Sequence, residues 1–465
     1  RASAGAGPAR PAKARRPTPP APAFPARDDR HLRLVFIGAA ALLLGAAYLL
    51  QGTLGPRAQG GAGVLCFLCI VCAMSRDLRA VNWRTVGWGI ALQVLLALLI
   101  LKLQVGDWRP GYELFSAIGA GIRKFLEFSN AGAGFVFGVL ANQAGMEKAF
   151  PGQGFVFAFT ALPTIIFVSS FFTVLYYFGV LQFIVRLMAK LMMRLLRTSG
   201  AETLSATANV FMGQTEAPLI VKPFVPAMTQ SELMAMMVGG FATISGGVMA
   251  VYIALGADPV AILTTSVMAA PCGLYIAKIL QPEVEVPATR GDATIDVERK
   301  HSNFVDAAAA GASDGMHLAI NVAAMLIAFL AILAMLDFLL GMIHPALSLT
   351  ALFSRVFAPV AVLMGVAAPD VPRVADLLGT KLVANEFVSY VKLTTEYRDM
   401  DPRSYALATY ALTGFANFGS VGIQLGGIGA MAPERRHDLA RHGMRALFGG
   451  FVATLINASI AAMLM

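Results

Sequence analysis

Charge is scarce in this chain. Of its 465 residues only 14% are Asp, Glu, Lys or Arg, and 57% are hydrophobic. A soluble fold needs more polar groups to cover its surface, so a soluble globular domain is excluded. Cysteine is scarce too. Cys66, Cys69 and Cys72 stand three residues apart in one apolar run, and Cys272 is distant. That excludes a disulfide scaffold. With no His or acid beside the trio, a metal cluster gives way to small buried hydrophobes. The six histidines are scattered near segment ends, and neither a HExxH site nor an intramembrane His relay is visible. No nucleophile–base pair accompanies the acids, so the chain is expected not to be an enzyme.

What remains is apolar length. Runs at about 32–50, 61–75, 85–104, 154–180, 232–256, 259–280, 317–343, 404–428 and 443–465 approach or exceed the roughly 20 residues a bilayer-crossing helix needs. They are continuous rather than alternating, which sets a β-barrel aside. The expected fold is an all-α polytopic membrane protein with about nine transmembrane helices. The net charge of +9 raises nucleic acid as a partner. Much of the excess lies in the first 33 residues and in short loops, the pattern of loops on the inner membrane side. No nucleic-acid partner is therefore expected.

Residues 1–31 are rich in Pro, Ala and Arg and read as a disordered basic tail. Residues 32–60 hold an N-terminal span, with no A-x-A-like cleavage site after it. Residues 61–150 contain helices and a Gly-rich stretch expected to lie along the outer surface. "RLMAKLMMRLLR" places Arg186, Lys190, Arg194 and Arg197 on one helical face, as in a helix resting on the inner surface. An interior N-terminus puts this helix, "RDLRAVNWR", the loop 281–301 and Arg435–Arg436 on the cytoplasmic side, and the C-terminus on the periplasmic side.

Two short segments carry the chemistry. "NVFMGQTEAPLIVKPF" (209–224) and "GTKLVANEFVSYVKL" (379–393) each set an acid among apolar neighbours, Glu216 and Glu386. Both are too short and broken to cross. They are expected as re-entrant helical hairpins at 201–228 and about 371–395, which survive at membrane depth only where protein or water covers them. Each is followed by a Gly-interrupted run, "GGFATISGGVMA" and "TGFANFGSVGIQLGG". The same order of parts in two halves, 151–316 and 317–465, is read as an inverted repeat with two opposed hairpins and two unwound helices. Interrupted segments at corresponding places point to a transporter's binding site. Glu216 and Glu386 each cost roughly 2.5–3.5 kcal/mol in hydrocarbon, so both are expected to face one hydrated cavity. Gln214, Thr215, Asn417 and Ser420 are neutral hydrogen-bonders. They suit a neutral solute rich in hydroxyls and amides, although such residues also serve as plain glue between helices. Val248 and Phe415 alone read as packing.

"GQTEAPLIVKPFVPAMTQSEL", "MAAPCGLYIAKILQPE", "KLVANEFVSY" and "YALTGFANFGSVGIQLGGIGAMAPERR" resemble the concentrative nucleoside transporter family, over about residue 61 to the end. The resemblance implies a homotrimer in a bacterial inner membrane that takes up nucleosides (uridine, cytidine, adenosine) with sodium or protons, by an elevator-like movement of a transport region past a scaffold. It implies that Gln214, Thr215 and Glu216 address the base, that Val248 and Phe415 pack on it, and that Glu386, Asn417 and Ser420 hold the ribose hydroxyls. It also implies a sodium site at Asn209, Met212, Thr243 and Ile244, with no further cofactor. Met212 and Thr243 depart from the smaller or Ser residues of the family, but a carbonyl and a hydroxyl survive, so sodium coupling is expected with proton coupling as the alternative. An intramembrane carboxylate enzyme, a channel and a sensor are the rival readings.

Overall fold

The computed structural model describes residues 29–50, 53–150, 156–289 and 301–465. The tail assigned to 1–31 lies outside these except at its last three residues, and the loop 281–301 is described only to Thr289 and at His301. Among the described residues there is no strand, only an isolated bridge between Val105 and Trp108.

The helices follow the apolar runs. They are α1 (Arg30–Leu49), α2 (Pro56–Ala73) and α3 (Trp83–Leu101), then the shorter α4 (Pro110–Glu127), α5 (Ser129–Phe137) and α6 (Gln143–Ala149). Next come α7 (Phe157–Tyr177), α8 (Val180–Leu196), α9 (Gly200–Ala208), α10 (Ala217–Ile220), α11 (Gln230–Ala242), α12 (Gly246–Leu255) and α13 (Pro259–Leu280). The chain finishes with α14 (Phe304–Ile343), α15 (Leu349–Val356), α16 (Ala358–Leu363), α17 (Val371–Val383), α18 (Glu386–Thr395), α19 (Pro402–Leu412), α20 (Phe418–Met431) and α21 (Arg436–Leu464).

Eight stretches among the described residues are long and apolar enough to cross a membrane. The ninth expected run, 404–428, is divided between α19 and α20 by a break at 413–417, and neither half reaches that length. The three clustered cysteines and Cys272 are free thiols, and Cys66 merely donates to the Ala40 carbonyl at 3.4 Å.

Two expectations shift. The run read as 154–180 with a basic tail is two helices, because Gly179 takes a left-handed φ of 78° between α7 and α8. The run read as 317–343 begins at Phe304 instead, so the division at 316/317 falls inside an unbroken α14. Polar Asp306, Ser313, Asp314 and His317 lower the apolarity of its first turns, which hid them. Asn303 caps the true start by accepting from the amides of Val305 and Asp306. There α14 needs small residues rather than apolar ones: a Cβ on Gly311 would stand 2.5 Å from Thr173, and one on Gly315 2.8 Å from Ile166. The Gly-x-x-x-Gly pair lets the backbones of α14 and α7 approach closely, the usual device where lipid removes the hydrophobic drive between helices.

Hydrogen bonds at the helix ends sort the chain into two faces. At one face Ser75 Oγ donates to the Ile279 carbonyl, the Arg76 amide to Leu280, the Gly200 amide to Thr289, and Arg435 to the Pro226 and Met228 carbonyls. At the other, Tyr405 OH donates to the Gly256 carbonyl, the Asp401 amide to Asp370, and Arg403 to the Gly365 and Ala462 carbonyls. The hairpin beginning with α9 therefore enters from the first face. The α17–α18 hairpin enters from the second. α11–α12 and α19–α20 run in opposite senses between them. The Asp29 carboxylate binds the Leu78 amide at the first face, and the carbonyl of Met465 binds Arg57 at the second.

The base of the first hairpin is a buried ionic knot. Lys278 Nζ stands 2.7 Å from Glu202 and 3.2 Å from Glu283, and donates to Ser231 Oγ. Glu232, equally buried, accepts from Ser199 Oγ and the Thr229 amide. One cation thus pairs with two carboxylates beside a third and ties α9, α11 and α13 together.

Deeper in, α11 crosses α21 where a Cβ on Gly450 would meet that of Phe241 at 2.2 Å. Gly450→Ala is expected to push these helices apart and destabilise the fold by roughly 1–3 kcal/mol, as overpacking of a tight contact does. An unchanged melting temperature of the purified variant in detergent would contradict this packing.

Candidate functional site

The breaks of α11–α12 and α19–α20 meet directly: the Phe415 amide donates to the Thr243 carbonyl at 3.1 Å. Both breaks have local causes. Ser245 caps α12 by accepting from the Val248 amide, and Asn417 caps α20 by accepting from the Ser420 amide. Gly414 bridges the second break with a φ of 154°, and a Cβ there would lie 2.9 Å from the Phe241 carbonyl. At the tip of the second hairpin Asn385 likewise caps α18 through the Val388 amide. Three helix N-termini consequently converge, each with its positive half-dipole.

Glu386 opens α18 at this meeting point. Its carboxylate is almost fully buried and accepts from Tyr252 OH at 3.1 Å and from Asn417 Nδ2 at 2.9 Å. Ser420, one turn into α20, accepts from Gln214 Nε2 at 3.2 Å, and Gln424 Nε2 donates to Gln214 Oε1 at 3.2 Å and to the Met237 carbonyl. A continuous polar chain therefore runs from the first hairpin's tip, through α20, to the second hairpin's tip. Val248 is buried and Phe415 half-buried beside it. Thr215 packs over α20, where a Cβ on Gly427 would come within 2.6 Å of its methyl.

Glu216 does not join this chain. Its residue is exposed, and its carboxylate folds back over Gly213, close enough to leave no room for a Cβ there. The tip turns at Gly213, and the two acids expected to share one cavity thus occupy different surroundings.

A second cluster lies behind the first. Ser205 Oγ and Asn209 Oδ1, both fully buried at the end of α9, have no hydrogen-bond partner. Asn209 faces the last turn of α11, its Nδ2 3.3 Å from where a Gly239 Cβ would sit. Thr243 Oγ1 donates to the Gly239 carbonyl at 2.9 Å, Ile244 is fully buried, and the half-buried Met212 anchors its amide on Ala208. Unpaired buried oxygens beside a helix C-terminus are costly unless a cation answers them. Hard cations take such oxygens in unwound helices. No group of three His, Cys, Asp or Glu side chains among the described residues could hold a metal.

Three participants lie outside the expected set: Tyr252, Gln424 and Lys381. Gln424 is a lone polar side chain in an apolar helical run, which is the signal it carries, whereas Lys381 stands among other polar residues of α17 and Tyr252 reads as packing. Lys381, fully buried, donates to the Ala411 carbonyl at the end of α19 and to Thr454 Oγ1. It fixes the second break against α21 and places a cation at a helix C-terminus.

Comparison with known proteins agrees across most of the chain. Family models described as "Na+ dependent nucleoside transporter" match at residues 62–140 (N-terminus) and 261–462 (C-terminus). One described as "Nucleoside recognition" matches 158–259. The mouse sodium/nucleoside cotransporter 1 is 41% identical over 425 residues, 87% of this chain, which spans 63% of that relative's length. An uncharacterized transporter of Haemophilus influenzae is 39% identical over 411 residues, 86% of this chain and 95% of its own. The structure of CNTnw in an inward-facing substrate-bound state superposes with a TM-score of 0.82 at 38% identity, covering 87% of this chain and 97% of that one. An outward-facing CNTnw variant gives 0.82 at 37% identity, over 88% and 97%.

Proposed function

The chain belongs to the concentrative nucleoside transporter family, and from that premise we propose that it takes up nucleosides across a bacterial inner membrane together with sodium. The observation that carries this reading is the buried Glu386–Asn417–Tyr252 group where two interrupted helices and a hairpin tip meet. A carboxylate there matches vicinal ribose hydroxyls, which donate to it. Ser420, Gln214 and Thr215 supply amide and hydroxyl partners for a base, with Val248 and Phe415 against its faces. Glu216 reaches the base only after the hairpin tip turns its carboxylate away from Gly213.

Sodium enters as cargo. Asn209 Oδ1 and the carbonyls of Met212, Thr243 and Ile244 form its site, with the unpaired Ser205 hydroxyl as an added ligand. The site lies between the first hairpin and α11, so ion binding orders the tip that the nucleoside then contacts. Each solute favours the state the other favours, a reciprocal coupling. The two hairpins and two interrupted helices, with α13 and α21, move as the transport region in an elevator-like cycle. α7 and α14 belong to the scaffold of a homotrimer. The positive loops support an N-terminus in the cytoplasm and a C-terminus in the periplasm.

The test is uptake of radiolabelled uridine into proteoliposomes. An inward sodium gradient should drive accumulation of intact uridine. Uptake driven by a pH gradient and indifferent to sodium would make the proton the coupling ion, and chemically altered uridine would make the protein an enzyme. In the same assay Asn209→Ala should raise the half-saturating sodium concentration about tenfold, the order of one lost charge-assisted contact.

A further inference from the structure

Beside α21 lies a cavity of about 340 Å³ whose lining is almost wholly apolar, reaching at its inner end Phe418, the residue after Asn417. Phe67 and Ile70 of α2 and Met444, Phe448, Phe451 and Leu455 of α21 form much of its wall. The α21 residues recur every three to four positions, so the cavity follows one stripe of that helix. Met444 at its rim is 57% exposed. In a chain that crosses the membrane, this rim opens towards lipid tails.

The same stripe continues to the membrane end with Arg445 and the exposed Arg441. Arg445 donates to the Met74 and Leu280 carbonyls just beyond the end of α2, which brings Arg76 alongside, and Arg33 donates to the Arg76 carbonyl. Arg33, Arg76 and Arg441 all lie close enough to bear electrostatically on Arg445. The nearby Asp438 is engaged by Arg435, and Asp29 by Arg79. Arg33 Nε is buried without a hydrogen-bond partner. Four guanidiniums within one another's electrostatic reach repel one another unless an anion joins them, and planar donors of this kind match phosphate oxygens.

We propose that this place binds one anionic phospholipid, its phosphate among Arg33, Arg76, Arg441 and Arg445 and an acyl chain in the cavity below. The polar and apolar halves lie in the order in which a lipid presents them. Basic pockets between helices at the cytoplasmic face are where such headgroups are held. Because Arg33 lies on α1, Arg76 follows α2 and Arg441 lies on α21, the lipid clamps α1 to the body that contains the site.

The experiment uses the full chain, delipidated in detergent. Adding dioleoyl-phosphatidylglycerol should raise its melting temperature by several degrees more than dioleoyl-phosphatidylcholine does, while inorganic phosphate should not reproduce the rise. The double variant Arg76→Gln, Arg441→Gln should lose the preference for the anionic lipid. Met444→Trp, which blocks the rim, should weaken both lipids alike. Equal shifts with the two lipids in the unmodified chain would overturn the proposal, and so would a preference that survives the double variant. An equal rise with inorganic phosphate would reduce the place to a free-anion site and overturn the lipid assignment.

Discussion

Glu386→Gln should weaken uridine binding by about 10- to 150-fold while leaving the protein folded. The carboxylate accepts from both Tyr252 OH and Asn417 Nδ2. Glutamine offers one oxygen and one NH2 group, so an N–H must face a donor. Asn417 cannot turn its amide over to compensate, because its Oδ1 is already capping α20 through the Ser420 amide. The tyrosine hydroxyl alone can adapt. What is lost is a hydrogen bond to a charged group, worth roughly 1.5–3 kcal/mol, together with the acceptor that ribose hydroxyls would use. Isothermal titration with uridine in sodium measures this directly. Affinity close to that of the unmodified protein would remove Glu386 from the site, and a collapsed gel-filtration profile would show that its role is structural.

Lys278→Met should be the most destabilising single change at the first face. Its ammonium is the cation paired with Glu202 and Glu283, and its charge also reaches the nearby Glu232. Removing one member of a buried pair leaves uncompensated charge and costs about 3–5 kcal/mol. Methionine keeps the volume, so the cost is electrostatic rather than a cavity. That separation can be checked. Adding Glu202→Gln to Lys278→Met removes the nearest orphaned charge and should restore much of the melting temperature. If the double variant melts no higher than the single one, the knot is not held by charge.

These two predictions draw on different kinds of legibility. Glu386 stood out in the sequence because an acid in a short stretch with apolar neighbours has few places to go. Asn417 and Ser420 stood out through the matched order of parts in the two halves. Tyr252 did not, since a tyrosine near the end of an apolar helix has an adequate explanation in packing. Gln424 was visible as an isolated polar residue and Lys381 as a cation five residues before Glu386, yet nothing linear says that one reaches Gln214 and the other Ala411. The start of α14 at Phe304 was hidden because polar residues on a helix that docks through Gly311 and Gly315 look like a loop.

Composition and order alone determined the class of this protein. So much apolar length must be helical and in lipid, because only continuous internal hydrogen bonding is tolerated there. Two broken, acid-bearing segments had to be shielded, which placed them at a shared centre and gave the chain its transporter character. Which acid joins that centre was decided only in three dimensions. Glu386 sits at a helix N-terminus among fixed donors, while Glu216 lies on a turn whose Gly213 lets its carboxylate fold back on itself. Partners more than a hundred residues apart, such as Tyr252 and Glu386 or Gln214 and Ser420, are chosen by helix packing. Sequence spacing carries no record of packing beyond the turn of a single helix.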